Sequence, residues 1–353
     1  MKNLKKRVLI VSCETKSYGA LEIIRSFEDK GYQVELMNDV MVCRKRNLLT
    51  RIRIKLGLSI EKFLRKKEKR FGERVLAFYN DYKPDIVCDL GGFLLNAETI
   101  NEIKRDSYIS LILMDRICFF PRLNRNLSLY DRIYTYSSDD YHQIKDMGLP
   151  CVLCLATGDE LRFFKKGSPK KYDLCFVGSM LPKKDYGYRY RLLKKLSRDF
   201  PDLKLIVGGK NAPIRHPILF FEWLFNRRYR EVFLNKQITY EECNTIFNES
   251  KICLNLERIN TGNSWSGRFA NIIRSGTFII AQNVECISEL LNGSVVMFDT
   301  YEDLKEKISF YLKDDVSRLE KESVLIDQFK VFCEKYYVDK VNDIIIHSLE
   351  RRD

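Results

Sequence analysis

Lys251 to Ile280 reads KICLNLERINTGNSWSGRFANIIRSGTFII. A short apolar strand (Ile252 to Leu256) comes first, then a polar loop holding Asn260, Gly262, Asn263 and Gly267. A helix is expected from near Arg268 and a second strand after Gly276. A strand, loop, helix, strand unit of this kind points its loop and the helix N-terminus out of the carboxyl edge of a parallel sheet. Free backbone N–H groups and the helix dipole favour an anion there. Arg258 and Arg268 add fixed positive charge, and arginine can fork onto a phosphate through two hydrogen bonds. A diphosphate suits that edge. A plainer reading stays open beside it: Arg268 and Arg274 as a solvated helix face, and Gly276 as no more than the helix C-cap.

Working outward, the chain of 353 residues is long enough for two ordinary cores, so two domains are expected. Eleven cysteines scattered from Cys13 to Cys333 make no disulfide framework and point to a reducing compartment, the cytoplasm. Met1 to Arg7 is basic, but the apolar run Val8 to Val11 ends at Ser12 and is too short for a signal peptide. No run of eighteen apolar residues occurs, which argues against a membrane span. The net charge of +13 calls for an anionic partner: nucleic acid, a phospholipid surface or a phosphorylated substrate.

Before the central unit, Lys6 to Cys13, a helix from Ala20 to Lys30 with Leu21, Ile24 and Phe27 on one face, and Val34 to Met37 form a βαβ opening without GxGxxG. Arg44 to Arg74 then carries thirteen Lys or Arg. Within the segment 44–79, Ser59 is placed to cap a helix with Phe63, Phe71, Val75 and Phe78 at helical spacing. That amphipathic helix fits an anionic bilayer, or a core-facing position with a solvated basic side. Pro84 to Leu90, Ser110 to Met114 and Tyr130 to Tyr136 continue the rhythm of an open parallel sheet. Asp115 follows its strand, where a carboxylate can serve an acceptor hydroxyl as base or can cap a turn. Asp139 and Asp140 make no DxD motif, and His142, His216 and His347 lie far apart, so no metal site is expected. Cys151 and Cys154 read as buried thiols.

Between Thr157 and Lys171 the pattern lapses, which places the domain boundary there. Tyr172 to Val177 begins a second sheet and meets Gly178 and Ser179, followed by Lys183, Lys184 and Arg189. Glycine lets a ligand approach the backbone closely, and the cations suit a phosphate. In Pro213 to Phe233, Phe220, Phe221, Trp223 and Phe225 crowd beside Arg227, Arg228 and Arg230. That segment fits a membrane or partner surface, or a buried helix at the domain junction. The chain closes in long helices from Val316 to Glu350.

Taken in order, PDIVCDL, LILMDR, YDRIYTYSSDDYHQIKDMG, YDLCFVGS, YEECNTIFNESKICLNLER, RFANIIRSGTF and VVMFDTYEDLKEKISFYL resemble the CgeB-like glycosyltransferases of the GT-B superfamily. The resemblance runs from about Pro84 onward and is strongest after Tyr172. It implies an α/β fold of two Rossmann-like domains facing across a cleft: an acceptor domain over 1–160, a donor domain over 170–335, and a helix over 336–353 crossing back. It implies a nucleotide-sugar donor, with Gly178 under the phosphates, Arg268 on the diphosphate, and Ser275 and Gly276 closing the pocket. Asn255 joins these candidates at the strand's end. No cofactor or metal is implied, because positive side chains stabilise the departing diphosphate. Asn271 and Asn263 stand where related sequences usually carry carboxylates; each still accepts a hydrogen bond, without charge. The expected partners are a nucleotide-sugar, a cell-envelope glycan or lipid-linked acceptor, and an anionic membrane surface at the inner face of the cell membrane. Two alternatives stand below this reading: a GT-B-shaped nucleotide-sugar epimerase, and a nucleic-acid-binding protein using the basic stretch. Nucleic acid is not an expected partner, since the aromatic-rich basic motifs of RNA modules are missing.

Overall fold

The structure is a computed structural model and describes residues 6–12, 18–38, 61–92, 95–119, 123–180, 187–209, 217–234, 236–259, 262–264 and 266–351. Arg44 to Ile60, with most of the basic stretch and its Ser59 cap, lies outside the described residues, as do Lys183, Lys184 and Asn260. The chain divides into two units, Met1–Cys154 with Val338–Asp353, and Leu155–Tyr337.

In the first unit, β1 (Arg7–Ser12), β2 (Gln33–Asn38), β3 (Ile86–Leu90), β4 (Tyr108–Ile112), β5 (Arg132–Thr135) and β6 (Cys151–Leu153) form a parallel sheet in the order β2-β1-β3-β4-β5-β6. Alternate side chains feed opposite faces. Leu9, Val11 and Val87 meet Phe71, Val75 and Tyr79 of the helix Glu61–Tyr82. Val8, Ile10 and Ile86 meet Ala20, Ile23 and Phe27 of the helix Tyr18–Asp29 on the other face. Leu21, put on the buried face by its spacing, is exposed, and Ile23 takes its place. Because both faces are covered, the central strands β1, β3 and β4 are buried at nearly every position and read as near-continuous apolar runs, whereas the edge strand β2 (QVELMN) alternates. Each fully buried Leu, Ile or Phe contributes roughly 1.5–3 kcal/mol relative to exposure.

The helix Lys340–Glu350 returns to this unit, with Val341 and Ile344 in the same core as Phe27. Its Asp343 fixes the register: Arg132 Nε donates to Oδ2 at 2.6 Å and the Tyr134 hydroxyl donates to the same oxygen at 2.7 Å.

In the second unit, β7 (Tyr172–Val177), β8 (Leu205–Gly208), β9 (Ser250–Asn255), β10 (Phe278–Gln282) and β11 (Val296–Phe298) are again all parallel, in the order β11-β10-β9-β7-β8. One face packs Leu174, Phe176, Leu254 and Ile280 on Tyr190, Leu193, Tyr229 and Leu304. The helices Tyr240–Asn248, Gly267–Arg274 and Asp315–Tyr336 pack on β9 and β10. The chain runs from β7 outward to β8 and then comes back to lay β9 on the other side of β7. The strand order therefore reverses between β7 and β9, and a crevice opens outside the carboxyl ends of strands at such a switch point.

The aromatic segment departs from a buried helix. It forms two short helices, Pro217–Phe225 and Arg227–Val232, and Phe221 and Phe225 face solvent. Among the described residues, no helix is long and apolar enough to cross a membrane. Cys151 and Cys154 are both buried free thiols.

Candidate functional site

The switch point of the second sheet carries the candidate site. β7 ends at Val177 and runs into Gly178 and Ser179; β9 ends at Asn255 and runs into Leu256, Glu257 and Arg258. The helix Gly267–Arg274 starts beside them, and Arg268 is its second residue. Rather than extending into solvent, the guanidinium folds back over the strand ends. Nε donates to Asn255 Oδ1 at 3.1 Å, Nη2 to the Leu256 carbonyl at 2.6 Å and Nη1 toward the Val177 carbonyl at 3.5 Å. Its central carbon sits 5.1 Å from the centroid of the buried Phe176 ring, a cation–π contact.

Gly178 makes this approach feasible. A Cβ at that position would collide with the Arg268 guanidinium and come within 2.9 Å of the Phe176 ring. The requirement is steric space for a side chain, not an unusual backbone angle. Arg189, near the start of the helix Gly187–Asp199, is 4% exposed, donates from Nη1 to the Ser179 carbonyl at 3.2 Å, and lies 5.9 Å from the same ring. Two cations thus share one aromatic platform. Burial pushes the Arg268 pKa down to about 10, and the charge of Arg189 pushes in the same direction. An anion placed here relieves both effects.

The supporting residues are ones that sequence reasoning missed. Glu257, 5% exposed, accepts from Asn255 Nδ2 at 2.7 Å and from the Ser266 hydroxyl at 3.1 Å. Asn255 therefore bridges Glu257 to Arg268, with its amide donating one way and its carbonyl accepting the other. Ser266 is the N-cap of the Arg268 helix, and it turns its hydroxyl to Glu257 instead of capping its own helix. The Tyr188 hydroxyl lies against the Glu257 carbonyl and 2.8 Å from Gln282 Oε1, and that oxygen also accepts the Glu257 N–H at 3.3 Å. A signal existed: Asn255 and Glu257 are two residues apart and so point the same way from an extended backbone. A glutamate next to Arg258 nonetheless reads as a solvated loop.

Of the residues singled out from sequence, the structure brings Gly178, Ser179, Arg189, Asn255 and Arg268 together, with Arg258 half-buried on the same loop. The others are occupied with the scaffold. Asn263 Oδ1 accepts the Cys286 N–H at 2.6 Å, in the first turn of the helix Glu285–Leu290. Asn271 Oδ1 accepts the Asp159 N–H at 2.9 Å, and the Ser275 hydroxyl donates to Asn244 Oδ1 at 2.8 Å. Gly276 has φ +61° and ends the helix beneath the Lys165 side chain. Arg274 donates to the Thr157 carbonyl at 2.6 Å. Asp115 belongs to the first unit, half-buried past the end of β4. Its neighbour Arg116 is paired with Asp139 at 2.9 Å and Asp140 at 3.3 Å. Among the described residues, no three His, Cys, Asp or Glu side chains gather in a way that would hold a metal ion.

Residues 189–325 match a family model described as glycosyl transferase-like, a span that begins at Arg189 and includes Asn255, Glu257 and Arg268. No curated protein matches the chain. Solved structures with the same architecture include sucrose-phosphate synthase from Thermosynechococcus elongatus, 10% identical with a TM-score of 0.71, covering 99% of each chain. An α,α-trehalose-phosphate synthase (UDP-forming) from Burkholderia vietnamiensis is 10% identical with a TM-score of 0.67, covering 99% of this chain and 100% of that one. A trehalose-6-phosphate protein from E. coli, bound with UDP-2-fluoro glucose, is 10% identical with a TM-score of 0.64 and covers 98% of both. The fold is that of the GT-B glycosyltransferases, and the match to the glycosyl transferase-like family lies within the second unit.

Proposed function

We propose that the chain is a glycosyltransferase of the CgeB-like kind, moving a sugar from a nucleoside diphosphate to a cell-envelope glycan or lipid-linked acceptor. The observation that carries this reading is the convergence of Arg268 and Arg189 over Phe176 at the β7/β9 switch point. When the bond from the sugar's anomeric carbon to the diphosphate oxygen breaks, negative charge grows on that oxygen. Cations fixed in place beforehand stabilise it without reorganising at the moment of reaction. Asn255 and Glu257 orient Arg268, Gly178 leaves the space its guanidinium takes up, the Ser179 carbonyl holds Arg189, and Arg258 adds charge from the loop after β9. With two arginines supplying the positive charge, the transfer is metal-independent in this reading.

The acceptor side is assigned to the first unit. Asp115, past the end of a buried parallel strand, is the carboxylate proposed to take the acceptor's hydroxyl hydrogen. The helix Glu61–Tyr82 buries Phe71 and Val75 and exposes Arg65, Lys66, Lys69 and Arg70. That basic face suits an anionic membrane, and it supports a place on the cytoplasmic side of the cell envelope. Trehalose- and sucrose-phosphate synthases are among the neighbours in fold, and the trehalose-6-phosphate protein of E. coli holds UDP-2-fluoro glucose. The donor panel therefore begins with UDP-sugars.

The test is release of nucleoside diphosphate from a panel of nucleotide-sugars, with and without membrane-extracted glycolipid acceptors and with and without EDTA. Acceptor-stimulated release that persists in EDTA is expected. No turnover of any donor, or donor interconversion that ignores the acceptor, would contradict the reading.

A further inference from the structure

The helix Pro217–Phe225 has the sequence PILFFEWLF, a single charged residue among nine. It is tethered from one side. Half-buried Trp223 packs on the core of the second unit, and the following helix Arg227–Val232 drives Tyr229 and Val232 into that same core. The other side is open: Phe221 is 56% exposed, Leu224 40% and Phe225 79%. Phe221 and Phe225 are one helical turn apart, and their rings stack at 6.3 Å with an interplanar angle of 5°. An amphipathic surface helix normally turns its apolar stripe inward and a polar face out; this one presents apolar groups outward in a contiguous patch.

Charge stands next to the patch. Arg227, with 87% of its side chain exposed, is paired among the described residues with Glu231 on its own helix, an exposed ion pair that binds weakly. Arg230 is exposed and lies on the Leu224 carbonyl, which holds its guanidinium at the edge of the aromatic face. Aromatic and aliphatic groups rimmed by arginine fit the boundary of an anionic bilayer, where rings enter the headgroup region and guanidinium groups meet lipid phosphates. A two-fold contact between copies would instead set Arg227 and Arg230 against their own like charges. Nine residues rise about 13 Å, well short of the ~30 Å hydrocarbon thickness, so the helix can only lie along the surface.

We propose that the helix Pro217–Phe225 docks the chain onto anionic lipid, with Phe221, Leu224 and Phe225 entering the interface and Arg227 and Arg230 contacting phosphates. This surface lies on the second unit and does not depend on the donor-site reading. The test is co-sedimentation of the full chain with vesicles of equal parts phosphatidylglycerol and phosphatidylcholine, against vesicles of phosphatidylcholine alone.

The wild type is expected to bind the anionic vesicles, with Trp223 emission shifting to the blue and binding weakening in high salt. Phe221→Ser/Leu224→Ser/Phe225→Ser lowers the partition coefficient about tenfold or more. Arg227→Glu/Arg230→Glu lowers it on anionic vesicles while leaving the circular dichroism spectrum unchanged. Wild-type partitioning by both variants would assign membrane contact to another face and overturn the proposal. So would absence of vesicle binding by the wild type, including the case of a solution dimer that the triple variant breaks. Nucleoside diphosphate affinity is unchanged in these variants, so failure here is distinguishable from failure of the donor site.

Discussion

The guanidinium groups of Arg268 and Arg189 stand on one aromatic ring, 5.1 and 5.9 Å from the centroid of Phe176. Burial, and after it the repulsion between these two like charges, lowers the proton affinity of Arg268. The ring's negative face offsets part of it. The carbonyls of Val177, Leu256 and Ser179 and the Asn255 side chain accept from the same groups. The Glu257 carboxylate opposes the shift without cancelling it, and an anion bridging the two arginines supplies further compensation.

Gly178→Ala tests the space beside Arg268. The added Cβ would collide with the guanidinium and crowd Phe176. The helix carrying Arg268 is anchored by buried Phe269, Ile272 and Ile273, so the arginine side chain moves and the helix stays. Nucleoside diphosphate affinity measured by calorimetry should fall about tenfold or more, the loss of one charge-assisted contact, with thermal stability changed by roughly 1 kcal/mol or less.

Glu257 acts through Asn255. In Glu257→Ala the buried Asn255 amide loses its acceptor, at a cost of about 1–3 kcal/mol, and Arg268 loses its orientation. Glu257→Gln keeps an acceptor oxygen and should recover most of the stability and much of the diphosphate affinity. Calorimetry and thermal melts on both variants check this; equal loss in the two would show that the carboxylate's charge, not its hydrogen bonds, is what matters.

A pH-dependent stability is expected from the first unit. Asp89 is buried, and burial pushes its pKa up to about 6 despite hydrogen bonds from the Tyr130 hydroxyl at 2.6 Å and the Gly92 N–H at 3.3 Å. Between the unfolded value near 3.9 and about 6, the native state keeps a proton that the unfolded chain releases. The contribution is therefore fully present below that window and is lost as pH rises through it, by roughly 3 kcal/mol. Urea melts across that window should show the decline in the wild type and its removal in Asp89→Asn.

Much of the fold was legible because both sheets are covered on both faces. Strands such as Val8 to Val11 and Ile252 to Leu254 are unbroken apolar runs ending at polar or glycine residues, which leave little choice of period or boundary. The site was less legible, because composition does not say which way a side chain turns. Arg268 could be placed at the start of its helix, but its inward fold depends on the missing Cβ of Gly178, a residue ninety positions away. Asn263, Asn271 and Ser275 are polar residues in a loop and helix that read as ligand-facing, yet their oxygens meet Cys286, Asp159 and Asn244. Glu257 escaped notice for the opposite reason: a carboxylate between Leu256 and Arg258 resembles surface, and only the fold buries it.

The most direct test is titration of a panel of nucleoside diphosphates against the wild type, Arg268→Ala and Arg189→Met. The wild type should bind at least one diphosphate more tightly than its monophosphate, and each variant should lose about tenfold or more of that affinity while remaining folded. Equal binding by all three proteins, or no binding by the wild type, would contradict the account.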